Sequence, residues 1–402
     1  MAKKALDGVK VLELCQMVAG PYCTKLLAGL GAEVVKIEKP GCGDEARKKP
    51  PFFHDIPDSE ISGLFLYLNT SKLGITLDVG TAIGKKLFQK LINEVDILVD
   101  DNPPQTMEKL GLDYEHLKKI NQRLIMTSIT PFGQTGPYRN YKAYPLNAFQ
   151  GGGEGYLTPS GIENIDRPPL KAGNFLGEYN SGLNAAIATL AALYWRGTSG
   201  SGQRIDISKQ ESLMSLNRLD MVRAANEGNI ITRAKQGVAF GGILPCKDEY
   251  TVFMTWTQEQ WDRMVTFMGN PEWARDEKFT DYFSRFKHGE LLNALLTEWL
   301  TNYTKDELYH KGQAAGIPFG MVSTTKDLVN SEQLNARGFF VEIDHPKTGK
   351  VKYPAAPYKF SETPWIAELP APLLGEHNEE IFNRRLGYSK EELIKLKATG
   401  VI

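Results

Sequence analysis

The chain has 402 residues, 42% of them apolar and 24% charged, with 47 basic against 48 acidic side chains and 38 glycines. That length supports two or three domains around a large buried core, and the composition is that of a globular enzyme, not a disordered or fibrous chain. The near balance of charge excludes nucleic-acid recognition by a general basic surface, and no apolar run approaches the ~18 residues that mark a membrane span.

Cys15, Cys23, Cys42 and Cys246 form no CxxC pair and no other metal-ligand spacing. They read as reduced thiols of a cytoplasmic chain with no metal. The segment Met1 to Asp7 holds two lysines with no apolar run behind them, so no secretory signal is expected.

Val9-Lys10-Val11-Leu12-Glu13-Leu14 reads as a strand. Ala19-Gly20-Pro21 opens a helix through Thr24 to Leu30, Gly31-Ala32 ends it, and Glu33 to Glu38 is the next strand. This is a β-α-β unit whose first loop belongs at the carboxyl edge of a parallel sheet, where ligands bind. A helical stretch from Gly84 to Ile92 leads to the strand Val95 to Val99 and the loop 101–104. Leu124 to Ile129 is a further strand, followed by the loop Thr130 to Pro137. A long Ala/Leu helix is expected over Asn184 to Tyr194, then a turn at 200–203, the strand Arg204 to Ile207 and a helix from about Gln210 to Glu227.

The pattern changes near 230. Two aromatic-rich segments, Tyr250 to Trp261 and Trp273 to Phe286, precede amphipathic helices near 289–302 and 304–315, which reads as a smaller α+β domain. Pro-rich turns from Pro354 to Pro372 and a helix near 389–397 close the chain.

Local chemistry is sparse. No Walker sequence occurs, and no GxGxxG follows a strand. Gly151-Gly152-Gly153 reads as a connection and His377 as a structural histidine, with no nucleophile motif beside it. Glu178, in Gly177-Glu178-Tyr179-Asn180-Ser181-Gly182, precedes the expected Ala/Leu helix, where an acid ordinarily complements the first turn.

The order of short motifs along the chain is more specific. Leu6 to Leu14, Ala19-Gly20-Pro21, Leu30 to Glu38 and Gly43-Asp44 are followed by Leu66 to Leu77 with Asn69 and Ser71-Lys72. Phe132-Gly133-Gln134-Thr135-Gly136, then Thr198, Gly200, Gly202 and Gln203, then Ala371 to His377 complete the series. In this order the chain resembles, over essentially its whole length, the family III CoA-transferases: formyl-CoA transferase, carnitine CoA-transferase and the α-methylacyl-CoA racemase group.

The resemblance implies an α/β fold with a Rossmann-like large domain, 1–228 and 331–402, and an inserted smaller α+β domain, 229–330. It also implies an interlocked dimer and coenzyme A as acyl-CoA substrate. In the transferase members an aspartate attacks the donor thioester to give a mixed anhydride, then an enzyme-bound CoA thioester. Glu178 stands at that position. Its extra methylene moves the oxygens by roughly 1.5 Å, a displacement able to change a rate about a hundredfold.

By the same resemblance, Gly241 and Gly242, with Gly237 upstream, stand for a glycine-rich flap over the reacting centre. Val18, Ala19, Lys39, Asn102, Lys109, Lys142 and Tyr144 stand where relatives grip CoA. Lys39 replaces an arginine, and the loop at 100–104, Asp-Asn-rich here, carries an extra acid where relatives often have Glu-Asn-Phe.

Three functions follow. The first is transfer of CoA from a donor such as succinyl-CoA to a carboxylic acid. The two-subunit benzylsuccinate CoA-transferases are the members most resembled, and Phe149, Tyr156, Tyr179 and Phe240 suit an aryl acid. The second is a catalytically degenerate partner of an active paralogous subunit in a heterodimer or heterotetramer, against a homodimer for the first. The third, an acyl-CoA racemase, needs a histidine between Met126 and Gln150, where none occurs.

Overall fold

A computed structural model describes residues 4–162, 164–234, 240–365, 367 and 369–402. The chain forms two compact units. One runs to Pro159, resumes over Pro168–Thr232 and again over Gly338–Ile402; the other takes Ser160–Arg167 and Arg233–Arg337. Ser160–Arg167 joins the second unit because the Ile162 N–H bonds the Arg233 carbonyl, while the Arg233 guanidinium bonds the carbonyls of Ile165 and Arg167.

The first unit is built on six parallel strands: β1 (Lys10–Leu14), β2 (Glu33–Glu38), β3 (Lys72–Thr76), β4 (Ile97–Asp100), β5 (Ile125–Thr130) and β6 (Arg204–Ser208). Their order is β3-β2-β1-β4-β5-β6, the doubly wound arrangement in which the chain reverses direction of travel between β1 and β4. Neighbouring residues on a strand point to opposite faces, and each face has its own core. Leu12, Val35, Leu98 and Met126 pack with Leu87, Phe88, Leu91 and Phe382 on one side. Val11, Val34, Ile97 and Ile125 pack with Cys23, Leu27, Ala185 and Ala186 on the other.

The sequence reading had no strand at β3. Lys72-Leu73-Gly74-Ile75-Thr76 contains a lysine and a glycine, both weak strand formers. Here tertiary contacts decide. A Cβ on Gly74 would fall 2.7 Å from the Pro372 ring, so the glycine lets the C-terminal segment lie against this edge. The Gly74 N–H donates to His377 Nδ1 at 3.1 Å, the His377 N–H donates to the Gly74 carbonyl, and Asn378 Oδ1 accepts from the Thr76 N–H. His377 is therefore structural. Two further strands, β10 (Phe340–His345) and β11 (Gly349–Pro354), form an antiparallel hairpin where only turns were expected; Ile343, Val351 and Tyr353 bury its apolar face on Phe65 and Leu66.

Charge is buried beneath β1. Glu13 accepts from Lys36 Nζ at 2.7 Å, Lys72 Nζ at 2.8 Å and Thr24 Oγ1 at 2.5 Å, and the carboxylate and both ammonium groups are fully buried. Burial pushes the Glu13 carboxyl up, but the two lysines outweigh it and hold the group down at about 2. Lys36 also bonds Asp44 Oδ2 at 2.8 Å, and Asp44 Oδ1 accepts the Met17 N–H at 2.8 Å. The network thus ends on the loop that follows β1.

The second unit is α+β, as read from sequence. β7 (Gly242–Pro245), β8 (Tyr250–Phe253) and β9 (Phe319–Met321) form an antiparallel sheet with β8 central. The helices Gln258–Phe267, Gly289–Leu300 and Lys305–Ala314 bury Trp261, Met264, Leu292, Leu296 and Leu308 with Phe240 and Phe253.

Candidate active site

A cavity of about 600 Å³ opens at the switch point of the first unit, within the roughly 300–1,000 Å³ of small-molecule sites. Four strand ends contribute to its wall. Gln16, Met17 and Val18 follow β1, Asp101, Asn102 and Pro103 follow β4, Pro131 follows β5 and Lys209 follows β6. Ala143, Tyr144, Pro145 and Ala148 close one side, Glu45 and Lys49 another, and Phe175 and Glu178 complete it.

Glu178 is placed by a helix that begins eight residues before the expected start. The helix spans Leu176–Ser199 and holds Glu178 in its first turn. Glycines at 177 and 182 argued against helix there, but both are packing positions. A Cβ on Gly182 would meet the Ala19 carbonyl at 2.5 Å, and one on Gly177 would meet Leu213 at 3.0 Å. The helix therefore presses directly on the start of the Ala19–Gly29 helix, which brings Glu178 to the loop after β1.

The Glu178 side chain is buried, 6% exposed, yet no group among the described residues donates a hydrogen bond to it. The helix N-cap, Phe175, supplies no side-chain cap. The first N–H groups consequently point their positive end toward an anion at this spot. A carboxylate that lines a cavity with no donor among the described residues can be reached by a ligand there.

The loop after β1 is under strain. Met17 sits at φ +63°, a left-handed conformation that costs a side-chain-bearing residue about 1–2 kcal/mol. It is held from both sides: Asp44 takes the Met17 N–H, and Asp101 takes the Gln16 N–H at 3.0 and 3.2 Å through its two oxygens. Asp101 shows unusual titration. Burial pushes its carboxyl up to about 7, with Asp44 and Asp100 adding to the rise and Lys209 and the Gln16 N–H opposing it. The adjacent Asp100 is pushed up to about 7 by burial as well, against the Ser128 hydroxyl at 2.6 Å.

Of the residues expected from sequence, Glu178, Val18, Asn102 and Tyr144 line one cavity. Ala19 is buried immediately behind Val18 at the helix start, and Lys142 is exposed two residues before Tyr144. Lys39 and Lys109 are exposed and do not line the cavity. Gly241 and Gly242 lie in the second unit at the start of β7, with φ of +77° and +82°. The Gly241 N–H is bonded to Asn293 Oδ1 at 2.7 Å. Gly237 lies outside the described residues. The aromatics proposed for an aryl acid fall elsewhere: Phe149 is in a buried cluster, Tyr156 is half exposed, Tyr179 packs edge-on to Tyr22 at 4.9 Å, and Phe240 is in the core of the second unit. The cavity's own aromatics are Tyr144 and Phe175.

Sequence reasoning missed Gln16, Met17, Lys49, Pro131 and Lys209 as wall residues, and it met Asp101 only as an extra acid. The signal was positional. In a parallel α/β sheet the residue after each strand end faces the ligand crevice, and Pro131 and Lys209 directly follow β5 and β6.

A doubly wound sheet with a cavity at its switch point is the layout of an α/β ligand-binding enzyme. The chain belongs to CoA-transferase family III, whose family model matches residues 6–378, and it is a CoA-transferase. It is 33% identical to a formyl-CoA:oxalate CoA-transferase of Rhodopseudomonas palustris, covering 99% of this chain and 97% of that one. A second relative of the same description, from Streptomyces coelicolor, is 34% identical over 100% of both chains. A CaiB/BaiF family protein from Brucella suis superposes with a TM-score of 0.85 at 31% identity, over 95% of this chain and 100% of that one. No described helix is long and apolar enough to cross a membrane.

Proposed function

We propose that this chain transfers CoA from an acyl-CoA donor to a small carboxylic acid through its own Glu178. The observation that carries this reading is the Glu178 carboxylate, at the cavity wall with no donor to it among the described residues. A Glu178 oxygen attacks the donor thioester carbonyl and CoA leaves as thiolate, giving a mixed anhydride. The thiolate then attacks the glutamyl carbonyl, releases the donor acid as carboxylate and leaves a glutamyl-CoA thioester. The acceptor carboxylate attacks that thioester, again expelling CoA thiolate. The thiolate finally takes the acceptor's acyl group and frees Glu178. Covalent catalysis divides one hard exchange into these easier ones.

Val18 and Asn102 at the wall, Lys49 and Lys209 as cations, and Tyr144 at the rim are the groups positioned to hold the acyl-CoA. Ala19, Lys39, Lys109 and Lys142 belong to the same proposed grip through the family resemblance, and Gly241–Gly242 to the proposed flap. A small acid is favoured over an aryl acid because Phe149, Tyr156 and Tyr179 do not line the cavity. The named relatives make formyl-CoA with oxalate the first pair to assay, and succinyl-CoA with benzylsuccinate the second.

The exposed stripe Leu176, Leu183, Ile187 and Tyr194 on the long helix supports association with a second chain, alike or paralogous. Incubation with acyl-CoA and hydroxylamine, followed by mass spectrometry of the Glu178 peptide, tests the reading. A glutamyl hydroxamate is expected. No adduct, with turnover only after a paralogous chain is added, would instead establish the structural-partner role.

A further inference from the structure

We propose that Asp101 is the group that recognises the acceptor acid, donating a hydrogen bond from its neutral carboxyl to the incoming carboxylate beside Glu178. This rests on the Glu178 reading above. Asp101 lies in the wall of the same cavity, and its two oxygens share one protein donor, the Gln16 N–H, at 3.0 and 3.2 Å. One N–H satisfies one oxygen; the other is left for a ligand. An ionised Asp101 would add to the negative charge facing an anionic acceptor in a cavity whose wall already holds Glu45 and Glu178. A protonated one removes that repulsion and supplies a donor, as an apolar site does when it keeps an acid neutral.

Burial favours the neutral form, and Lys209 is the strongest charge opposing it. From its own strand end Asp100, and from the loop after β2 Asp44, oppose ionisation of Asp101, while Lys209 at the head of the Lys209–Met214 helix favours it. Lys209 forms no ion pair with Asp101 among the described residues. Cys15, buried behind the loop, has its thiol pushed well up by burial and by Asp101, and so stays neutral. Glu45, Lys49 and Glu178 share the cavity wall. With the Asp101 carboxyl pushed up to about 7 by burial, the donor form is half present near neutrality and disappears above it.

Acceptor binding then takes up one proton, so the acceptor KM rises about tenfold between about pH 6 and about pH 8 for an acid already fully ionised, such as oxalate. The test follows acceptor KM across that range in three proteins, with hydroxylamine trapping at Glu178 run on separate samples of each. Wild type should show the rise. Asp101→Asn, which keeps an N–H donor at every pH, should show a flat profile. Lys209→Met, which removes the cation favouring ionisation, should carry the inflection to higher pH, and this arm stands if Asp101→Asn does not fold. An Asp101→Asn profile with the wild-type inflection, or an inflection unmoved in Lys209→Met, overturns the proposal. Absence of the hydroxamate in wild type removes the Glu178 reading and this one together; an adduct with an unaltered KM profile removes this one alone.

Discussion

Glu13 and Glu178 are the same side chain, both withdrawn from water in the same unit, in opposite company. Glu13 is met by two ammonium groups and a hydroxyl, all within hydrogen-bonding distance. Glu178 is met by no donor among the described residues, at the head of a helix with no side-chain cap. Desolvating a carboxylate is expensive, and pairing is the usual remedy. Where the remedy is supplied the acid holds strands β1, β2 and β3 together. Where it is withheld the acid faces the cavity, which is what the proposed reaction with a substrate requires.

The contrast can be broken at either end. The largest effect belongs to Glu178→Gln, which should lower turnover by at least about a thousandfold without loss of stability in urea unfolding. Glu178→Asp should lower it about a hundredfold, because the shorter side chain draws the oxygens back by roughly 1.5 Å. Unchanged activity in Glu178→Gln would show that Glu178 is not the nucleophile. Next comes Glu13→Gln. It leaves the Lys72 ammonium in the interior without a carboxylate, while Lys36 keeps Asp44, and should cost about 3 kcal/mol in urea unfolding, while trapping at Glu178 persists in the folded fraction.

A third expectation concerns pH. The Glu13 carboxyl is held down at about 2 against an ordinary 4.5, so its contribution is full above the ordinary value and is lost as pH falls toward about 2. Asp100 and Asp101 work the other way. Pushed up to about 7 from 3.8, they let the folded state keep protons the unfolded chain gives up. Their influence makes stability fall as pH rises through that window, and Asp101→Asn should lessen the fall in urea midpoints measured across it.

The smallest effect is at Lys25. Its ammonium bonds Thr70 Oγ1 at 2.7 Å and lies 4.6 Å from the Tyr67 ring centre, without a carboxylate. Burial and Lys72 push it down to about 7, from an ordinary 10.5. Between those values the folded state holds fewer protons than the unfolded, so stability rises with pH. Lys25→Met should therefore stabilise by about 1 kcal/mol near pH 6 and much less near pH 10.

Much of the first unit was legible because β1, β2, β4 and β5 alternate between two buried faces and their helices carry clear apolar spacing. β3 was hidden because Lys72 and Gly74 make sense only with Glu13 and Pro372 in place, residues far away in sequence. The start of the Leu176–Ser199 helix was hidden for the same reason, since Gly182 is explained by the Ala19 carbonyl and not by its neighbours in the chain. The helix expected from Gln210 to Glu227 is two, Lys209–Met214 and Arg218–Glu227. The Ser215 hydroxyl takes the Ser212 carbonyl as acceptor, and Arg218 Nε takes the Ser215 carbonyl, side-chain competition that ends a helix locally. At the site, Glu178, Val18, Asn102 and Tyr144 were found through motif order. Asp101 and Lys209 acquire their meaning only when strand ends are brought together.

The outer edge of β3 is closed by His377 and Asn378, which follow it by 303 and 302 residues. The entire second unit is made in between. A chain emerging from the ribosome therefore carries an open strand edge, ready to pair with a neighbour, until its last segment arrives. During synthesis the first unit to begin is the last to be sealed, and that interval is when the protein is most exposed to aggregation.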